Sequence, residues 1–279
     1  MNSQCHDERW RFIDSGCSSG AMNMALDMAM TQAVAENRSP ATLRLYGWRP
    51  WAISLGYHQS ETDVDLERCR AQGVDVVLRP TGGRAILHAD EVTYAVAMPP
   101  SSPFFSNDIQ SVYEVISRCL VASLELLGIP AEFDRAGKTP KDFARGELST
   151  LCYASSVQYE IGIGSRKLVG SAQRRIQGSV LQHGSILLGD AHLAVTDYLA
   201  AKNNAWRERV KRYMSNNTIS LNQQSPKVTY AALVGALETG FQRTLGIQFV
   251  HDQISDAEWQ HARQLLKKFS ILANVSHGD

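Results

Sequence analysis

The 279-residue sequence has no run of 18 or more apolar residues, so no segment is long enough for a membrane-spanning helix. Neither sign of charge is in excess. The 28 basic residues balance 28 acidic ones, and no broad nucleic-acid-binding surface is advertised. Local basic clusters remain at Arg166, Arg174 and Arg175, and between Arg207 and Arg212. Cysteine is scarce. The five (Cys5, Cys17, Cys69, Cys119, Cys152) are scattered and lack C-x-x-C spacing, which argues against a zinc ribbon and a disulfide frame. The opening MNSQCHDERWRF is polar and mixed in charge, unlike a secretory signal. These absences predict a cytoplasmic protein with reduced thiols and with no nucleic-acid or membrane partner.

Signatures of common enzyme classes are missing too. No G-x-S-x-G elbow occurs, which disfavours a serine hydrolase of the α/β type. No histidine pair has metal-ligating spacing on a plausible helix, so no metal is expected. Neither a P-loop nor G-x-G-x-x-G is present, so a nucleotide cannot be inferred from the glycines. No internal repeat is visible.

What is present fits a soluble globular protein, with 44% hydrophobic and 20% charged residues. A strand is predicted over 9–14, then a helix over 21–36 capped within Ser18-Ser19-Gly20. Its Met22, Leu26, Ala29, Met30 and Ala33 have helical spacing and read as core. Strands are predicted at 42–46, 52–55, 74–78, 85–87 and 92–98, with a short helix capped by Asp63 or Asp65 among them. An amphipathic helix over 109–127 ends at Gly128, and 131–133 reads as a strand. Asp134 to Glu147 reads as a mobile loop. A strand at 179–188 and a helical stretch to about residue 200 follow the central hairpin described below. Lys202 to Lys227 is polar and poorly periodic, and is predicted to be a linker. Helices over 230–245 and 255–269 flank a strand at 247–250. Without a regular βαβ rhythm, the fold class is α+β, a mixed β-sheet with flanking helices. The main domain is placed at 1–200, and 201–279 as a linker and helical extension packed on it.

The sharpest chemistry lies between Leu151 and Gln173. Cys152 opens a polar stretch, the chain then alternates through Val157, Tyr159, Ile161 and Ile163, turns at Gly164-Ser165, and returns through Lys167 and Val169. Such a hairpin lets Lys167 face the Cys152 loop, where an ammonium favours the nucleophilic thiolate. A lone cysteine is by default packing; the polar context and Lys167 raise this one above Cys69 and Cys119, which fall in helices. Arg79-Pro80-Thr81-Gly82-Gly83-Arg84 is a second candidate, a glycine loop whose amides and arginines suit a phosphate or carboxylate, or simply a tight turn. His88, His58 and His183 read individually as structural histidines, with His88 a possible base.

Several segments together resemble the lipoate–protein ligase and octanoyltransferase superfamily, which shares a fold with biotin–protein ligases. They are Gly20-Ala21-Met22-Asn23-Met24-Ala25-Leu26-Asp27, Leu43 to Trp48, Ser54-Leu55-Gly56-Tyr57-His58-Gln59, Arg79 to His88, Glu91-Val92-Thr93-Tyr94, and Lys167 to Gln173. Their order and coverage, about Phe12 to Leu188, make the match specific. The resemblance implies a class II aminoacyl-tRNA synthetase-like catalytic domain. ATP-dependent members commonly carry a small residue or glycine where Arg84 stands and need no cysteine like Cys152. The chain is closer to cysteine-dependent octanoyltransferases, in which the cysteine lies fifteen residues before the hairpin lysine, as Cys152 does before Lys167.

That resemblance implies transfer of octanoyl from acyl carrier protein to Cys152, then to a lysine of a lipoyl-accepting protein, in the closest subfamily the glycine-cleavage H protein. No cofactor is implied and a monomer is expected. Cys152 and Lys167 become the catalytic candidates. Arg79, Thr81, Gly82, Gly83, Arg84, His88, Gly170, Ser171, Ala172 and Gln173 become the substrate-binding ones. Three alternatives stay open: an ATP-dependent lipoate ligase, an amidotransferase relaying acyl groups between lipoyl proteins, and a non-catalytic acyl-binding module.

Overall fold

The computed structural model describes residues 8–135, 159–200 and 203–273. Elements run β1 (Arg9–Ser18), α1 (Gly20–Ala35), β2 (Thr42–Trp48), β3 (Ala52–Leu55), α2 (Leu66–Ala71), β4 (Asp75–Leu78), β5 (Ile86–His88), β6 (Glu91–Met98), α3 (Ile109–Leu126) and β7 (Glu132–Arg135). They continue with β8 (Tyr159–Ile163), β9 (Arg166–Ile176), β10 (Ser179–Leu187), α4 (Val195–Tyr198), α5 (Asn204–Asn217), α6 (Leu221–Gln224), α7 (Tyr230–Leu245), β11 (Gln248–His251), α8 (Asp256–Phe269) and β12 (Ser270–Leu272).

Two mixed sheets result. The larger has the order β11-β1-β2-β6-β10-β9-β8-β7 and the smaller β12-β4-β3-β5. Alternation along β6 sets the layers, because successive side chains leave opposite faces of a strand. Val92, Tyr94, Val96 and Met98 share a cluster with Val112, Ile116 and Leu120 of α3 and Leu233, Leu237 and Phe241 of α7. Ala95 and Ala97 face the other way, into a cluster with Met24, Ala25, Met28 and Ala29 of α1. That cluster also holds Ala52 and Val77 of the smaller sheet, so α1 is sandwiched between the sheets. A helix enclosed in this way is buried nearly all round, and α1 has no solvent-exposed face.

Two sequence expectations are corrected. Ser19 occupies the N-cap position of α1, but its side chain accepts no capping bond. The orphan Gly20 N–H instead donates to Asp75 Oδ2 on β4, at 3.0 Å, tying the helix start to the smaller sheet. The expected linker is structured: α5 and α6 occupy it, with Val210, Met214, Ile219 and Leu221 buried. Most of α5 is solvated polar residues, and one narrow stripe of Val210 and Met214 anchors it, too little to register as periodicity. The strand at 131–133 is observed at Glu132–Arg135, while most of the loop expected at 134–147 lies outside the described residues.

The C-terminal part enters both sheets. β11 pairs parallel with β1, and β12 pairs antiparallel with β4. α8 begins with a capping box between Ser255 and Glu258 and packs against α1. Among the described residues, no helix is long and apolar enough to cross a membrane.

Candidate active site

Small residues where β9 and β10 pair leave space between the sheets. Ser185 stands opposite Gly170 and His183 opposite Ala172, so these four share one face of the larger sheet. Above them is a narrow cavity of about 30 Å³. Met24 of α1, Trp48 of β2, Ile86 of β5 and Gly170 to Ala172 supply much of its lining, with polar groups at intervals. A narrow apolar slot with a few placed polar groups is the form a small-molecule site takes.

Lys167 reaches this face through an irregularity. Ile161 pairs with Val169, but Gly162 pairs with Lys167, leaving Leu168 as the extra residue of a β-bulge. Strict alternation would put Lys167 on the face of Val169 and Ser171; the bulge turns it to the face of Gly170 and Ala172. The Gly164-Ser165 turn expected from the sequence joins the strands, with Gly164 at φ +58°, which glycine adopts at little cost. Lys167 Nζ donates to Glu160 Oε1 at 2.7 Å, and the lysine side chain is 4% exposed. Its carbonyl accepts from the Ile219 N–H, so the segment after α5 braces the strand. Cys152 lies outside the described residues.

Two buried networks close the cavity. In the first, Asp27 of α1 pairs with Arg44 at 2.8 Å, both side chains fully buried, and accepts from the Tyr46 hydroxyl. His183 Nδ1 bonds Asp27 Oδ2 at 2.9 Å, and its Nε2 bonds Thr81 Oγ1 at 2.7 Å. A carboxylate only accepts, which assigns the proton to Nδ1 and makes Nε2 the acceptor of the Thr81 hydroxyl. Burial lowers the His183 pKa, against the opposing pull of Asp27, and keeps the ring neutral. Burial likewise raises Tyr46 well above an ordinary phenol.

The second network centres on Glu91. Its carboxylate bonds His88 Nδ1 at 2.8 Å and accepts from the Thr93 and Ser185 hydroxyls. Burial alone would raise its pKa, but His88 and the two hydroxyls outweigh it and hold the carboxyl below the usual range. His88 Nε2 meets Ser54 Oγ at 2.8 Å, and its ring stacks on Trp48 with centroids 4.0 Å apart.

The glycine loop folds around Arg79. That guanidinium donates to the Gly82 carbonyl, to the Arg84 carbonyl at 2.8 Å and to the Ser54 carbonyl at 3.0 Å. Arg79 therefore shapes the loop as well as lining the cavity. Gly56 lets the loop lie close, since a Cβ there would stand 1.9 Å from the Gly83 carbonyl oxygen. Arg84 Nη1 is buried without a hydrogen-bond partner among the described residues.

Of the sequence candidates, Arg79, His88, Gly170, Ser171 and Ala172 line one cavity, and Thr81 touches it through His183. Gln173 faces elsewhere: it bonds Gln182, which reaches Tyr94, and Tyr94 in turn bonds Ser171 Oγ. Sequence reasoning missed Asp27, Arg44, Tyr46, Glu91, His183 and Glu160 as site residues. From sequence alone His183 reads as structural, because nothing there joins it to Asp27 or Thr81. The signal for Glu160 was available, since the hairpin places an acid two residues from Gly162, the partner of Lys167. Cys69 and Cys119 are buried, and burial pushes the Cys69 thiol up to about 11 and Cys119 further, so neither is a ready nucleophile.

Known proteins agree with this architecture. A family model described as the lipoyl protein ligase A/B catalytic domain matches residues 19–242. The octanoyltransferase LipM of Kyrpidia tusciae is 38% identical over 264 residues, covering 94% of this chain and 96% of the relative. That of Clostridioides difficile is 33% identical over 263 residues, with 94% and 96% covered. Among solved structures, a bipartite lipoate protein ligase from Thermoplasma acidophilum matches with TM-score 0.74 at 23% identity, over 94% of this chain and 93% of that one. A lipoate-protein ligase A bound with ATP matches at TM-score 0.71 and 24% identity, over 94% and 95%. At these identities the structural likeness concerns the fold. The chain belongs to the lipoyl protein ligase A/B catalytic domain family.

Proposed function

We propose that the protein is a cytoplasmic octanoyltransferase of protein lipoylation, taking octanoyl from acyl carrier protein and delivering it to a lysine of the glycine-cleavage H protein. The observation that carries this reading is Lys167, buried on the face of Gly170 and Ala172 beside a narrow apolar slot, in a chain alike over its length to octanoyltransferases.

Cys152 is the proposed nucleophile and Lys167 the group that favours its thiolate. The thiolate attacks the donor thioester carbonyl. The carbonyl π electrons move to oxygen, then return as the carrier's sulfur leaves and takes up a proton. In the second half the acceptor lysine, as the free amine, attacks the acyl-cysteine. An amide forms, the cysteine sulfur departs, and the amine's surplus proton leaves to solvent or a base. The first exchange is nearly isoenergetic and the second runs downhill from thioester to amide, so neither half needs ATP. Amides of Gly82-Gly83 or Gly170-Ser171 are the proposed oxyanion donors, each worth roughly 2.7–4 kcal/mol when aligned. The apolar slot selects chain length at about 0.8 kcal/mol per methylene. We assign residues 201–279 to the same catalytic unit, because β11 and β12 complete its sheets.

The test is the intact mass of the protein after mixing with octanoyl-acyl carrier protein without ATP. A gain of one octanoyl group, absent in Cys152→Ala, is expected. Absence of any gain, with acylation of the acceptor only from free octanoate and ATP, would overturn the reading in favour of a ligase.

A further inference from the structure

A second cavity adjoins the first. It encloses about 290 Å³ between Met28 and Gln32 of α1, Tyr57, Pro80, Arg174 of β9 and Lys268 of α8. Arg79 lines both cavities, so they share a wall. No Asp or Glu is among the lining residues, whereas Arg174, Arg175 and Lys268 are. Among the described residues neither Arg174 nor Lys268 is ion-paired.

Arg174 is held without being neutralised. Its guanidinium lies over the Tyr57 ring, 4.2 Å from the centroid, and one Nη donates to the Pro80 carbonyl at 2.7 Å. An arginine carries five N–H donors in a planar fork, so a stacked guanidinium with one carbonyl bond keeps donors for an anion. Arg175 is tethered to the Ser106 and Asn107 carbonyls and forms the rim. The cleft is concave, which suits a small anion on a slender chain better than a flat protein surface.

The strand sets a length. Lys167, Gly170, Ala172 and Arg174 share one face of β9, the bulge having brought Lys167 into line. Seven residues of strand, one of them the bulge residue Leu168, give about six steps of roughly 3.3 Å and place the Cα atoms of Lys167 and Arg174 about 20 Å apart. A phosphopantetheine-type arm has about thirteen bonds between phosphorus and sulfur, roughly 15 Å at the dimensions of an extended chain. The two long side chains span the difference.

We propose that this cleft binds the phosphodiester of a phosphopantetheine-type donor arm through Arg174 and Lys268, with the thioester directed toward Lys167. The proposal rests on the octanoyl-transfer reading and names the group by which the donor is held. A nucleotide offers the same phosphate chemistry, and the test separates the two.

The experiment compares kcat/KM for octanoyl-phosphopantetheine and octanoyl-pantetheine, which differ only in the phosphate, in the natural chain, Arg174→Gln and Lys268→Gln. The natural chain is expected to prefer the phosphorylated donor by about tenfold or more, and each variant to lose most of that preference, chiefly through KM. Lys268 is exposed, so its variant leaves the fold in place if Arg174→Gln disturbs it. Equal use of the two donors by the natural chain, or an undiminished preference in both variants, overturns the proposal. If the natural chain takes octanoyl from neither donor, octanoyl-acyl carrier protein tests the transferase reading, and calorimetric binding of phosphopantetheine decides the cleft. Binding weakened by both substitutions supports it, whereas no binding, or binding of ATP alone, rejects it.

Discussion

Lys167 and Glu160 meet across the β8–β9 hairpin, Nζ to Oε1 at 2.7 Å, with the lysine side chain 4% exposed and the glutamate side chain 20%. The pair exists because a bulge at Leu168 rotates Lys167 off the face that strict alternation would give it. The two partners differ in how much water can replace the other.

Glu160→Gln takes the carboxylate away from a buried ammonium, whereas Lys167→Met leaves a carboxylate that water reaches. Removing one partner from a buried pair is the costly change, several kcal/mol at full burial and less here. Glu160→Gln is therefore expected to lower stability by about 1–3 kcal/mol, and Lys167→Met by less, in urea unfolding. Thiol acylation is expected to fall by about 10²–10⁴ in Lys167→Met if the lysine activates the nucleophile. Single-turnover mass spectrometry checks this, and an acylation rate unchanged by Lys167→Met would remove the lysine from the mechanism.

His183 gives stability a pH dependence of definite sign. Burial lowers its pKa in the folded chain, and burial lowers that of His192 likewise. In the unfolded chain both titrate near the ordinary value of about 6.5. Above that pH neither state binds the proton and the contribution to stability is full. As pH falls below about 6.5 the unfolded chain takes up protons that the folded chain refuses, so stability declines toward the depressed folded value. The slope is at most about 1.4 kcal/mol per pH unit for each histidine. Urea midpoints between pH 8 and 5 should fall in the natural chain and fall less steeply in His183→Gln. Parallel slopes would mean that His183 is as readily protonated folded as unfolded.

These residues also show what a sequence can and cannot disclose. The strands expected at 42–46 and 92–98, observed as Thr42–Trp48 and Glu91–Met98, and the helix at 230–245 were legible because their apolar patterns serve large buried faces. The glycine loop and the hairpin turn were legible because glycine has few other reasons to be there. α5 was hidden by its polarity, and its stripe of Val210 and Met214 has meaning only against the neighbours it packs on. The Asp27–His183–Thr81 chain spans three distant segments, and no local pattern joins them. The bulge at Leu168 was hidden for a related reason: it is a property of the pairing with β8, which the β9 sequence alone does not state.

Ala172 offers a test of the slot itself. It lines the cavity opposite His183 on β10, where a larger side chain projects into the space between the sheets. Ala172→Leu is expected to exclude the end of a long acyl chain while leaving the backbone pairing intact. Each methylene denied burial costs about 0.8 kcal/mol, close to fourfold in relative kcat/KM. Competition among acyl donors of graded length should shift the preference toward chains shorter by two or more carbons. An unshifted preference with a normal rate would place the acyl chain somewhere other than this cavity.

The C-terminal elements make the broadest claim. Arg11 on β1 is 7% exposed and donates through both Nη atoms to Glu258 of α8, each bond 3.1 Å, while Glu258 also closes the capping box with Ser255. Removing that carboxylate leaves a buried guanidinium short of its partner, with Asp252 at 3.4 Å as partial relief. Glu258→Ala is expected to cost about 3 kcal/mol and Ser255→Ala about 1 kcal/mol, the latter being the usual loss for a helix cap. A chain ending at Gly246 lacks β11, α8 and β12, which exposes the α1 face and leaves β1 and β4 with open edges. That truncation should not fold. A soluble, cooperatively unfolding truncation would instead make residues 247–279 a separable extension. Circular dichroism and urea unfolding of the truncated chain decide between the two, and the magnitude in Glu258→Ala shows how much of the attachment passes through one buried ion pair.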